Sequence, residues 1–380
     1  MGNSALVMTF LGLLPAAVLL FYIYKKDRAE KEPIGLLIGL FFLGVLSIIP
    51  AVILEMISQS ILNGLFFGEF TSESPEYFLD YGTYYLYQII ENFICIALVE
   101  EGCKWFFVIL VTRNNKNFNC LFDGVVYTVF VSLGFAAAEN LFYVFQYGFG
   151  NALLRMVTAV PAHCFFGVIM GCFYSRWFMN RKAAELENRL RASGVIAPGI
   201  SSFPTGGLLA LSLLAPTLAH GFYDFCATID SAVFTVIFLL FLGSLYFICF
   251  FNVRKLSKAD TYSASLSMDM VLKKHPEAAA YLQTSPDYAW LFYQEPVQQP
   301  INQQPINQQP IDQQPVYQQY AQPRYHQSPY QQPQYQQPRY QQPQYQQPHY
   351  AQPKQGYEPP RYSQPNQNAQ PYVRTDDKKE

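Results

Sequence analysis

Val99-Glu100-Glu101-Gly102-Cys103-Lys104 sets two adjacent carboxylates and an ammonium in the middle of an apolar run that extends from Tyr84 to Thr112. A charge at the centre of a bilayer costs from about 3 kcal/mol upward, so such groups are rare in membrane spans and mark function. Two further polar pairs stand inside later apolar runs, Phe135-x-x-x-Glu139 and His220-x-x-x-Asp224, and His163 stands in another. Acids, bases and metal-ligating side chains inside one apolar domain are the inventory of an enzyme site.

Working outward from that stretch, seven runs reach the length of about 20 residues that a bilayer core requires. They cover 5–24, 34–57, 84–112, 120–147, 151–175, 206–228 and 231–251. The fold expected is all-α, a polytopic membrane bundle of seven transmembrane helices with a disordered C-terminal tail. No Lys or Arg precedes the first run and position six is Leu, so neither a secretory signal nor a myristoylation motif is read there. It is read as a retained first helix.

Orientation follows from the basic residues. Lys25, Lys26, Arg28 and Lys31 follow the first run, Arg113 and Lys116 the third, Arg176 to Arg191 the fifth, and Arg254, Lys255 and Lys258 the seventh. The alternate loops, 58–83, 148–150 and 229–230, hold no Lys or Arg, and the first of them is acidic. The expected placement is a multi-pass cell-membrane protein with its N-terminus outside and its C-terminus cytoplasmic.

A mean hydropathy of +0.07 averages unlike parts. Residues 1–258 form the membrane domain, and 259–296 a cytoplasmic amphipathic segment with a short helix near Ser267–Lys274 and an aromatic patch at 288–293. Residues 297–380 are a Gln/Pro/Tyr-rich repeat, in which Pro every few residues forbids helix and sheet, so disorder with polyproline II character is expected. That tail reads as solvated, with a proline-binding cytoplasmic partner as the alternative. A net charge of -2 says nothing about nucleic acid, and no basic patch with interleaved aromatics points to it, so none is expected as a partner. The lipid bilayer is the expected surrounding. All seven cysteines lie in or beside apolar runs, and no disulfide framework or thiol chemistry is expected of them.

Depth argues that the polar residues meet. At about 1.5 Å per helical residue, Glu100 and His220 lie about 20 Å from the basic side, while Glu139 and His163 lie about 12 and 18 Å from the other. All four fall between the midplane and the outer third of a core about 30 Å thick. Residues four apart share a helix face, so Glu100 aligns with Lys104 and His220 with Asp224. Asp224 can then accept from one imidazole nitrogen and decide which nitrogen faces the site. Lys104 can neutralise one of the two glutamates and leave the other as base. Pro161 and Pro216 can loosen the helices near the two histidines.

Each feature alone has a plainer reading. Glu101 with Lys104 can be an ion pair between helices, His163 an interhelical hydrogen bond, Glu91 structural, and Gly167-x-x-x-Gly171 a close-packing face. A transporter or proton relay would also line a path with Glu, His and Asp. Internal repeats of spans would favour that, and none is found.

Glu-Glu-x-x-Lys, Phe-x-x-x-Glu and His-x-x-x-Asp in successive order resemble the three motifs of the PrsW family of intramembrane proteases. Asp123-Gly124-Val-Val-Tyr127, the run into Glu139-Asn140, and Ala159-Val-Pro-Ala-His163 are also similar, so the resemblance covers residues 84 to 230. It implies an intramembrane endopeptidase acting on a membrane-anchored protein within the bilayer or at its outer edge. The family type makes the first cut in a membrane-bound anti-sigma factor. By analogy with the related prenyl endopeptidases, Glu100 would be the general base. Glu139 would take the place of a water-holding histidine, His220 would stabilise the oxyanion and Asp224 would orient His220. Glu101 and His163 complete the candidate set. Glu139, His163 and His220 match the ligand inventory of a catalytic zinc site, and a metal-free glutamate–histidine pair fits as well.

Overall fold

The structure, a computed structural model, describes residues 2–67 and 79–285, with backbone only at 2–8, 11 and 152. The helices are α1 (Gly2–Lys26), α2 (Ile34–Phe67), α3 (Tyr81–Ile90), a π-helical segment (Glu91–Leu98), α4 (Val99–Thr112), α5 (Asp123–Val157), α6 (Ala159–Ala192), α7 (Gly206–Thr228), α8 (Ala232–Lys258), α9 (Ser263–Lys274) and α10 (Ala279–Thr284). An isolated bridge between Cys120 and Tyr262 is the one β interaction among the described residues.

Among the described residues five stretches are long and apolar enough to cross a membrane, Ile34–Phe67, Asp123–Asn151, Leu153–Ala192, Gly206–Thr228 and Ala232–Lys258, and neither α1 nor the run at 84–112, both expected as spans, is among them. The run expected at 84–112 is helical but does not read as one uniform span. A π-helical segment of 8 residues separates α3 from α4, and Glu91, Glu100, Glu101 and Lys104 dilute its apolar character. Other boundaries moved outward. The run at 34–57 continues to Phe67, and the one at 151–175 continues as α6 to Ala192. The far half of α6 has its own core, in which Ala183, Leu186 and Leu190 meet Met268, Val271, Ala278 and Leu282. The short helix expected near Ser267–Lys274 is α9. The aromatic patch at 288–293 and the repeat tail lie outside the described residues.

Helix α5 forms the middle of the bundle, because it is apolar on every side and has neighbours on every side. Residues 122 to 137 are buried without a break. Helix α2 approaches it through Gly44 and Gly134, where a Cβ on either glycine would strike a backbone carbonyl of the other helix. Gly167 brings α6 against Val129 and Ser132, and Gly171 brings it against Val125 and Thr128. Thr128 Oγ1 donates to Gly167 O at 2.8 Å across that contact. At Gly148, φ is +80°, which breaks α5 and permits the hairpin into α6. The outward faces of α2 and α8 are apolar and exposed, as at Phe42, Ile49, Leu240 and Phe247. Such surface suits lipid and not water.

At the basic end of the bundle, the α1–α2 linker, the start of α5 and the α8–α9 linker meet around carboxylates. Asp260 accepts from the backbone N–H groups of Ala29 and Phe122 at 3.0 Å each. Asp123 accepts from Asn119 and Cys120, and Asp27 from Glu32. Asp27 Oδ1, Glu32 Oε2, Asp123 Oδ1 and the Tyr127 hydroxyl are buried there without a hydrogen-bond partner.

Candidate active site

Four helices deliver the charged side chains to one place. Helix α4 starts at Val99, where the π-helical segment ends, so Glu100, Glu101 and Lys104 occupy its first turn and a half. A π turn shifts the following residues around the helix axis and is frequent at functional sites. Trp105 Nε1 donates to Ser212 Oγ at 2.8 Å and holds α4 against α7. Lys104 is fully buried, and its Nζ lies 3.1 Å from Glu100 Oε2, 2.8 Å from Glu101 Oε1 and 3.2 Å from His163 Nδ1. It also sits 3.9 Å from the centre of the Phe135 ring. The aromatic position of Phe-x-x-x-Glu is therefore the face on which the ammonium rests.

His163 is placed by the first turn of α6. Pro161 lies within that turn, where the lost N–H disturbs little. The carbonyl it frees, Val157 O, accepts from the Tyr246 hydroxyl at 2.8 Å. The loosening expected beside His163 is thus closed by a side chain of α8. His163 Nε2 lies 2.7 Å from Glu139 Oε2. An ammonium can only donate, so Nδ1 accepts from Lys104 and Nε2–H donates to Glu139.

His220 comes from α7. Its Nδ1 is 3.1 Å from Glu101 Oε1, and its Nε2 is 3.1 Å from Asp224 Oδ2 and 3.9 Å from Glu100 Oε2. Phe166 stacks on the ring with centroids 4.7 Å apart and planes 20° from parallel, which limits its rotation. The His163 and His220 rings meet edge to face at 5.2 Å.

The six residues singled out from the sequence thus form one connected cluster. Glu100, Glu101, His163 and His220 each bring a possible ligand atom within 4.8 Å of the others. Glu139 stands one step further out, with Oε2 on His163 and Oε1 2.8 Å from Arg155. A cavity of about 250 Å³ adjoins them, lined by Glu100, Glu139, His163, His220 and Asp224 among others. Its wall also holds Asn92 of the π segment and Thr228 of α7, whose side chains meet at 3.3 Å. The cluster has room for water and substrate on one side.

Two charged neighbours were not read from the sequence. Arg155 is the sole Lys or Arg between Lys116 and Arg176, and an isolated cation inside an apolar run was the signal. Glu55, half-buried on α2, interacts electrostatically with Glu100, Glu139 and Lys104. No motif spacing pointed to it.

The sequence profile of the PrsW family intramembrane metalloproteases matches residues 32–253. The chain is similar to Protease PrsW of Oceanobacillus iheyensis, with 33% identity over 244 residues, 64% of this chain and 93% of that protein. Protease PrsW of Bacillus subtilis is 29% identical over 250 residues, 65% of this chain and 93% of its length. The protein of the same name from Clostridioides difficile is 28% identical over 268 residues, 70% of this chain and 96% of its length. No solved structure matches. Profile and relatives agree, and the chain belongs to the PrsW family of intramembrane proteases.

Proposed function

We propose that this chain is a seven-span endopeptidase, N-terminus outside, that cuts a membrane-anchored protein within the bilayer or at its outer edge, with Glu100 as general base. The observation that carries this reading is the convergence of Glu100, Glu101, His163 and His220 beside a polar cavity inside an apolar bundle. The one-sided Lys/Arg loops support the orientation. The membrane domain is residues 1–258, and cleavage does not require the tail.

Glu100 borders the cavity and takes a proton from the attacking water as its oxygen adds to the scissile carbonyl carbon. The same carboxyl then returns that proton to the departing amide nitrogen. His220 faces the cavity beside it with Nδ1 held by Glu101, and its Nε2–H, shared with Asp224, donates to the oxyanion. Lys104 balances the adjacent carboxylates and excludes the uncompensated charge that a buried pair would otherwise carry.

The family profile names a metal. The donor set fits one, since two imidazoles and two carboxylates converge and Glu101 Oε2 is buried without a partner. Glu101, His163 and His220 of that group would hold it, which leaves Glu100 as base, and Glu139 would orient His163 from behind. Zinc in such a site acidifies bound water and polarises a carbonyl. The Lys104 ammonium at the centre of the same cluster favours a second reading, in which glutamate and histidine act without metal.

The test is purified full-length protein in liposomes with a single-span reporter fusion bearing an outer domain, a membrane-anchored anti-sigma factor being the first to try. Wild type should release the outer domain, and Glu100→Ala should lose at least about 100-fold. Equal cleavage by both sinks this assignment. Activity removed by a chelator and restored by zinc selects the metal reading, and full activity in metal-free protein selects the other.

A further inference from the structure

Arg155 is held on three sides although no motif includes it. Its guanidinium nitrogen lies 2.8 Å from Glu139 Oε1, and Nε donates to Asn140 Oδ1 at 3.1 Å. The guanidinium covers the Tyr143 ring at 3.9 Å. Asn140 in turn donates from Nδ2 to Gly12 O of α1 at 2.8 Å. The ion pair is largely enclosed, with side-chain exposures of 13% for Arg155 and 17% for Glu139. In sequence this cation falls just past the hairpin at Gly148, near the end of the bundle whose loops otherwise lack Lys and Arg. Retaining a cation there needs a specific partner, and Glu139 supplies it.

The consequence reaches His163. Glu139 has two oxygens with two different tasks, Oε1 on Arg155 and Oε2 on His163 Nε2. The guanidinium, pinned at Nε by Asn140, holds the carboxylate beside it through its charge at one nitrogen–oxygen contact. The carboxylate so held accepts from Nε2–H, and this leaves Nδ1 as the lone-pair nitrogen turned to Glu100, Glu101 and Lys104. Freed from Arg155, Glu139 could swing into the adjoining cavity, and His163 would lose the contact that sets its ring orientation.

We propose that Arg155 is a positioning residue of the protease site, acting through Glu139 to hold His163 with Nδ1 facing the Glu100–Glu101–Lys104 cluster. This rests on the protease reading above. It adds a fourth element to the three motifs, a basic residue 16 positions after the glutamate of Phe-x-x-x-Glu, delivered by the hairpin.

The experiment uses the full-length protein in the same liposomes and with the same reporter fusion. Arg155→Met should lower kcat about 10- to 100-fold, the usual cost of losing an outer-shell partner, with KM within about 2-fold. Arg155→Lys, which keeps the charge but not the planar guanidinium that Asn140 holds at Nε, should recover only part of that loss. The double variant Arg155→Met/Glu139→Gln should be no worse than Glu139→Gln alone, because the second residue acts only through the first. A raised KM with kcat preserved would make Arg155 a substrate contact and overturn the proposal. A lower thermal midpoint with unchanged kcat per folded molecule would make it merely structural and also overturn it. Should Arg155→Met not accumulate, Arg155→Lys decides alone: reduced kcat at normal stability supports positioning, and wild-type kcat refutes it. If wild type cleaves but Glu100→Ala cleaves equally, the protease reading of the site fails, whatever Arg155 does.

Discussion

Two buried acidic clusters occupy this protein, and they handle charge in opposite ways. In the middle of the bundle, Glu100 and Glu101 share the Lys104 ammonium, and Glu139 has Arg155 and His163. At the basic end, Asp27, Glu32 and Asp123 lie together, and the cation among them, Lys31, turns its Nζ to the backbone oxygens of Tyr24 and Asp27. There the carboxylates of Asp27 and Asp123 lean on backbone N–H groups, and among the described residues no cation is paired with the cluster as Lys104 and Arg155 are paired in the middle of the bundle. The lesson is one of environment. A carboxylate far from water is retained ionised only beside a cation, whereas one at the membrane border can relieve its charge by taking up a proton.

Burial accordingly pushes the Glu32 carboxyl up to about 7 and that of Asp27 to about 6, with neighbouring acids adding to both shifts. Glu30, Lys31, Asp123, Asp260 and Tyr127 are the charged or titratable groups facing them. A raised folded-state value means that the folded chain holds its proton more tightly than the unfolded one. The stabilising contribution is present at low pH, and it is lost as pH rises from the ordinary carboxylate range through 6 to 7.

The comparison can be broken most violently at its centre. Removing the shared cation with Lys104→Met strands two buried carboxylates, a change that typically costs about 3–5 kcal/mol. The protein should then fail to accumulate in membranes, as an immunoblot of the membrane fraction would report. Accumulation at wild-type level would show that the glutamates are not held as a charged pair.

Asp224→Asn keeps size and an acceptor oxygen while removing charge beside His220. Proteoliposome cleavage should fall about 10- to 100-fold with normal accumulation. Loss as complete as in Glu100→Ala would give Asp224 a direct part in the chemistry.

The basic-end cluster should respond in the opposite sense and more weakly. Glu32→Gln supplies a permanently neutral side chain of the same shape, so it should raise the thermal midpoint at pH 8 by a few degrees. It should also flatten the decline in wild-type midpoint expected between pH 5 and pH 8. Calorimetry or dye-monitored unfolding in detergent reads both, and a lower midpoint at pH 8 would contradict the assignment.

Topology gives the mildest perturbation. A cysteine probe between residues 68 and 80 should react with an impermeant reagent from outside, while one at 195–203 should not. Reversed labelling would overturn the orientation without touching either cluster.

Much of the fold and of the site was legible in the sequence, for physical reasons that name their own limits. Apolar length dictates helices where backbone groups have no water to bond, so the long runs announced themselves. The rarity of ionisable residues inside such runs singled out Glu100, Glu101, Glu139, His163, His220 and Asp224, and the 3.6-residue period paired His220 with Asp224. Hydropathy cannot sense a hydrogen-bond register, so the π segment before Glu100 was invisible. Nor could it show that α6 runs on to Ala192, because the contacts that stabilise that half come from residues about 80 positions away. Only the tertiary structure decided that Lys104 bridges both glutamates and His163, that Tyr246 fills the gap left by Pro161, and that Arg155 stands behind Glu139. Each of these depends on where one helix lies against another, and that is settled by the close approaches at Gly44, Gly134, Gly167 and Gly171, not by any pattern within a single run.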